Sequence, residues 1–291
     1  IGCDRTVRRD GSGFGVAWQG YSSGVGDLEY AFVSPTGALL GTHVPISGHG
    51  SISWVEGSWT GSVLGFAWQD SRSGNWDVYF SVVAPDGTPI ATALQLTSLG
   101  TISMAPSVVW TGTAFGVFWE DNRDANYEIY LALVSGAGAR IGSDLRITSQ
   151  SAASRLPSVA WTGSEIGVAW QEARDGNLEI YFARLDGTGA RVTSDTRITT
   201  TTGTSEMPLL GWGSGAFGLA WRETAAGYIN MQFASLDPPG VPFGPGVIVS
   251  PGTTVPSEAD IAWSPSGWAV VWFEDRFSNR EILFELASPC D

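Results

Sequence analysis

Ala105-Pro106-Ser107-Val108-Val109-Trp110, then Thr111-Gly112-Thr113-Ala114, then Phe115-Gly116-Val117-Phe118-Trp119 decides how this chain folds. Two short runs rich in β-branched and aromatic residues flank a turn that contains glycine, which predicts a β-hairpin. Downstream, Glu120-Asp121-Asn122-Arg123-Asp124-Ala125-Asn126 is a polar cluster that must turn the chain, and Tyr127 to Val134 reads as a third strand. Gly136 and Gly138 turn it again. Arg140 to Thr148 then gives a fourth, more polar strand, as a water-exposed edge requires.

The same phrase recurs along the whole chain. Trp18, Trp68, Trp119, Trp170, Trp221 and Trp272 stand 50, 51, 51, 51 and 51 residues apart. A second ladder, Trp59, Trp110, Trp161, Trp212 and Trp263, precedes five of them by nine residues, with Arg9 in that place in the first repeat. A period near fifty marks stacked supersecondary units, none of which buries its own apolar face alone. Six units of four antiparallel strands, with no helical periodicity, predict an all-β, six-bladed β-propeller. One closed domain over residues 1–291 is expected, with blades at approximately 4–50, 51–101, 102–152, 153–203, 204–254 and 255–291. Only Ser288-Pro289-Cys290-Asp291 follow the third strand of the last unit, so that blade is incomplete. Either it has three strands or the native protein extends beyond this sequence.

Composition narrows the partners. Fifteen basic against 29 acidic side chains give a formal charge of −14, which repels a phosphate backbone and argues against nucleic acid. No apolar run approaches the length of a membrane helix. Charge of one sign also keeps a strand-rich, tryptophan-rich protein monomeric. Cys3 and Cys290 are the only cysteines, at opposite ends of the sequence. They suggest a disulfide of an oxidising compartment, with two free thiols as one alternative and a lipid anchor on Cys3 as another.

From Pro157-Ser158-Val159-Ala160-Trp161 through Gly167-Val168-Ala169-Trp170 and Arg174-Asp175-Gly176-Asn177-Leu178-Glu179-Ile180-Tyr181 to Arg197-Ile198-Thr199, the repeat resembles that of TolB-like propellers. Ile261-Ala262-Trp263-Ser264-Pro265-Ser266-Gly267 carries the same resemblance, although each blade here is several residues longer. The resemblance implies a secreted, periplasmic or cell-surface propeller and says almost nothing of activity.

Six repeats allow an internal comparison. The two tryptophan ladders and Gly116, with Gly15, Gly65, Gly167 and Gly218, recur and are assigned to the core. A polar turn also recurs. Asp70, Arg72, Asn75 and Asp77 return as Asp121, Arg123, Asn126 and Glu128, and then as Glu172, Arg174, Asn177 and Glu179. Asp70, Asn75, Asp77, Asp121, Asn126 and Glu128 offer oxygen at a spacing that suits calcium, whereas the arginine among them points to a salt-bridged turn without metal. His43 and His49 are the only histidines, too few for a three-histidine zinc site. Carboxylate pairs such as Glu120 with Asp121 belong to the repeated turn and need no catalytic explanation.

Function is expected where repetition breaks. Trp54 and Trp76 stand off both ladders, as does Trp268, and His49 precedes Trp54 by five residues. The first two fall on one loop face, where an aromatic pair suits a sugar ring or a protein partner. Met104, Arg155 and Glu206 precede successive innermost strands, and Arg155 beside Glu206 suggests an ion pair or a small polar ligand site. The leading expectation is a non-enzymatic binding or scaffolding propeller, with a protein or glycan ligand. The alternatives are a glycan-active hydrolase or lyase with carboxylates at the channel mouth, and a structural domain of a larger surface protein.

Overall fold

The structure is a computed structural model that describes residues 5–9, 13–22, 25–47, 50–91, 93–250, 255–276 and 279–287. Cys3, Cys290 and His49 lie outside the described residues, so the disulfide and the histidine of the loop face are not addressed by it. Every regular element among the described residues is a β-strand. The strands form six antiparallel sheets, one for each repeat, and in each the order in space follows the order in sequence. The fold is the all-β, six-bladed β-propeller that the tryptophan spacing predicts. Among the described residues five sheets have four strands and the sixth has three, Ser257–Ser264, Gly267–Arg276 and Asn279–Ala287. Two compact units divide the chain, Ile1–Ser149 with blades one to three and Gln150–Asp291 with blades four to six.

Blade three shows why these residues make these strands. Ser103–Trp110 pairs with Ala114–Asp121 across a turn in which Gly112 takes a φ of 86°, a left-handed value that glycine adopts without strain. The Thr111 hydroxyl closes that turn, accepting from the Ala114 amide at 3.2 Å and donating to its carbonyl at 2.9 Å. Thr60 and Thr162 repeat the device in blades two and four. Glu128–Ser135 and Arg140–Arg146 complete the sheet. The second strand is buried along its whole length, and the fourth is mostly exposed.

Neighbouring blades interlock through the recurrent glycine. A Cβ built on Gly65 would lie 2.5 Å from the Phe115 ring of the next blade, and one on Gly218 would lie 2.6 Å from Trp268. Gly167 receives Phe217 in the same way. Trp268 is therefore a core residue, 1% exposed at the position of Phe115 and Phe217, and not a spare tryptophan. Trp110, Trp212 and Trp263 close over these inserted rings at 4.8, 4.6 and 5.2 Å between centroids. One layer out, Trp68, Trp119 and Trp170 stack on Tyr79, Tyr130 and Tyr181 at 6.0, 6.2 and 6.1 Å. Each such pair contributes about 1 kcal/mol beyond its buried area.

In blades one to five the fourth strand is pinned by one hydroxyl each. Ser47, Thr97, Thr148, Thr199 and Ser250 accept from the third-strand amides of Leu28, Val78, Ile129, Ile180 and Met231 at 2.8 to 2.9 Å. Four of them also donate to the carboxylate one residue earlier on that strand, Asp27, Asp77, Glu128 or Glu179.

Candidate functional site

The repeated polar turn is a network of charges bound to one another. Asp121 is fully buried and accepts from Ser103 Oγ at 2.8 Å, Trp119 Nε1 at 3.0 Å and Arg123 Nη2 at 2.6 Å. Burial alone raises its pKa, but the bonds from Arg123, Trp119 and Ser103 outweigh it and hold the carboxyl below the usual aspartate range. Glu172 repeats the pattern with Ser154 at 2.9 Å, Trp170 at 2.9 Å and Arg174 at 2.6 Å. The arginine is held on its other side too: the guanidinium of Arg123 lies 4.1 Å from the Tyr130 centroid, and that of Arg174 lies 4.2 Å from Tyr181. Arg123 reaches Asp144 at 2.8 Å, and Arg174 reaches Asp195 at 2.9 Å.

The six calcium candidates fall inside this network. Asp70 binds Arg72, and Asp77 accepts from Ser73 at 2.6 Å, Gln95 at 3.1 Å and Thr97 at 2.9 Å. Glu128 accepts from Arg146 at 3.0 Å, Thr148 at 2.5 Å and Asn126 at 3.3 Å, and Asn75 donates to the Thr101 carbonyl. Each carboxylate that the calcium expectation counts as a ligand is thus engaged by protein donors. Among the described residues, no three His, Cys, Asp or Glu side chains converge as a metal site needs.

The loop-face candidates share a backbone feature that the sequence does not announce. Trp54, Ala105, Leu156, Met207 and Glu258 all take a left-handed φ, between 40° and 55°, inside a bulge of the innermost strand. Such a conformation is strained in residues other than glycine. It turns an amide toward the preceding blade: the Ala105 N–H donates to Gln69 Oε1 and the Met207 N–H to Gln171 Oε1, both at 2.8 Å. Trp54 is thereby a half-buried residue of the bulge. Trp76 is half-buried in the polar turn, where its carbonyl accepts from the Ser103 amide at 2.9 Å. Neither ring packs on another aromatic among the described residues, so the structure does not assemble them into one stack. Met104 and Arg155 face Glu120 and Gln171 across their own sheets. Glu206, expected to pair with Arg155, is held by Arg222 of the adjacent strand at 2.8 Å.

Blade five departs from the network, and there a cavity opens. Glu223 keeps the place of Glu172 and accepts from Trp221 Nε1 at 3.1 Å. The rest of the set has changed: Ala225 stands for Arg174, Gln232 for Tyr181, Asn230 for Glu179 and Gly246 for Asp195. Ala226 and Gly227 form a two-residue hairpin in place of the looser polar turn. The vacated space is a cavity of about 310 Å³ whose walls include Trp221, Glu223, Gln232, Thr199, Thr201 and Gly246. Gln232 is 8% exposed and makes no side-chain hydrogen bond among the described residues. Thr201 Oγ1 is buried and has no hydrogen-bond partner among the described residues. Isolated, these residues look like ordinary strand positions; only alignment of blade five with blades two to four marks them.

No protein-family model and no curated protein matches the chain. Solved structures do match. A subtype N10 neuraminidase-like protein of A/little yellow-shouldered bat/Guatemala/060/2010 superposes with a TM-score of 0.64 at 8% identity, over 96% of this chain and 90% of the other. Trypanosoma rangeli sialidase does so with 0.59 at 9% identity, over 97% of this chain and 54% of the other. An exo-beta-1,3-galactanase from Phanerochaete chrysosporium gives 0.55 at 14% identity, over 88% and 62%. At these identities the likeness establishes the propeller fold alone.

Proposed function

We propose that this propeller binds glycans without cleaving them and that the blade-five cavity holds a saccharide unit. The observation that carries the reading is the set of side chains around that cavity: a carboxylate, a primary amide and threonine hydroxyls beside the edge of an indole. A saccharide is bound by such a mixture of directional polar groups and apolar wall. Support comes also from the fold neighbours, whose names are those of a sialidase, a galactanase and a neuraminidase-like protein. Most glycoside hydrolases use two carboxyl groups flanking one bond. Among the described residues, Glu223 is the only carboxylate lining this cavity, and the buried acids of blades two to four are bound to arginine, tryptophan and hydroxyl groups.

A glycan panel read by binding and by product release tests this. Retention of a saccharide with no change in its chain length is the expected result; a shortened product would favour the second reading, a glycan-cleaving enzyme, which the names of the fold neighbours suggest. A panel with neither retention nor cleavage would remove both.

A further inference from the structure

The shape of the blade-five cavity is known from its sister blades, because they show what fills it. In blades three and four, an arginine guanidinium bridges the buried acid and a second aspartate while lying over a tyrosine ring. Blade five retains the acid, Glu223, and has lost the guanidinium. No arginine pairs with Glu223 among the described residues, and the chain contains no lysine at all. Sheet alternation places Trp221, Glu223 and Ala225 on one face, so the position from which an arginine would reach this acid carries a methyl group. Around the acid stand two further acceptors without partners among the described residues, Gln232 and the buried Thr201 Oγ1. The formal charge of −14 adds a field that draws cations.

We propose that the blade-five cavity is a site for a cationic N–H donor, in which a protonated amine takes the place of the missing guanidinium. Resting on the glycan reading above, this makes the ligand a glycan with free amino groups, an unacetylated hexosamine. The ammonium donates to Glu223 and Gln232 while the ring lies toward Thr199, Thr201 and Gly246. A neutral N-acetyl group leaves the carboxylate without a counter-charge, so acetylation weakens binding.

The test titrates the full chain, by tryptophan fluorescence and calorimetry, with a glucosamine oligomer, its N-acetylated counterpart and methylguanidinium. Two variants accompany it. Glu223→Gln removes the charge and keeps an acceptor for Trp221, and Gln232→Tyr restores the residue of the sister blades and fills the cavity. Expected are saturable binding of the glucosamine oligomer, competition by methylguanidinium, and a loss of at least about tenfold on acetylation or in Glu223→Gln, as for one charge-assisted hydrogen bond. Binding in Gln232→Tyr is expected to disappear while its melting temperature holds. Equal binding of the acetylated and free-amine oligomers overturns the cation site and leaves the glycan reading standing. Binding of methylguanidinium or of an arginine peptide, with none of either oligomer, supports the cation site and overturns the glycan reading. Binding that survives both substitutions overturns the location.

Discussion

At Gly218 a single methyl group separates a seated blade from a displaced one, since the added Cβ would lie 2.6 Å from the Trp268 indole. Gly218→Ala is expected to destabilise by about 1 to 3 kcal/mol, the usual cost of overpacking, seen as a lower urea midpoint with an unchanged slope. Gly112→Ala also strains a left-handed position, but it meets nothing within 4 Å and is expected to cost only about 1 kcal/mol. Charge is less forgiving. Glu172→Gln leaves the Arg174 guanidinium against a neutral amide in a buried network; with that arginine about one-fifth exposed, a loss of about 2 to 3 kcal/mol is expected in the same measurement. The recurrence of Gly65, Gly167 and Gly218 is plain in the sequence, and so is the idea of close approach. That the approaching group belongs to the next blade is not, because a strand repeats every two residues and does not say which face meets which neighbour.

Strands and turns were largely legible, because alternating apolar runs bounded by threonine-glycine turns carry their own conformational preference. The bulge was not. Trp54, Ala105, Leu156, Met207 and Glu258 share a left-handed backbone and no chemistry, so no residue signature marks the position; the only recurring hint is the proline that follows three of them, Pro106, Pro157 and Pro208. Trp54 is therefore set apart by its backbone as well as by its indole. The polar turn has a consequence in pH at this scale. The folded pKa of Asp121 lies below its ordinary value, so its ionised form favours the fold; that stability is complete above the ordinary aspartate range and is lost as pH falls through the depressed folded value. Melting temperature should therefore hold near neutrality and fall on the acid side of the aspartate range. Asp121→Asn is expected to melt lower at pH 7 and to show a shallower acid decline than the parent protein. A parallel decline in the two would contradict this account.

Along the whole chain, six repeats of one pattern predicted a propeller, and the comparison of repeats that assigned the tryptophans to the core also contained the cavity. Ala225, Gln232, Asn230 and Gly246 are four departures within one blade, legible as substitutions but silent about the space that they leave together, because volume is not a property of a sequence position. The interlock between blades has a direction: an aromatic ring of the following repeat enters at Gly65, Gly167 and Gly218, and Leu64 does so at Gly15. Within Ile1–Ser149, blade two thus presents an unlike front and back, as a cassette does: its Leu64 meets Gly15 and its Gly65 receives Phe115. Removing 51 residues, Val55 through Ala105, joins Trp54 to Pro106 and brings Phe115 to the place where Leu64 now meets Gly15. That shortened chain should still fold, with one cooperative transition and an unchanged β-sheet circular dichroism per residue, whereas a deletion three residues shorter should not. Should the shortened chain fold, a gene built this way would tolerate unequal crossing-over between its own repeats, and the blade-five cavity, whose walls come from blades four and five, would be inherited intact only where those two blades stay together.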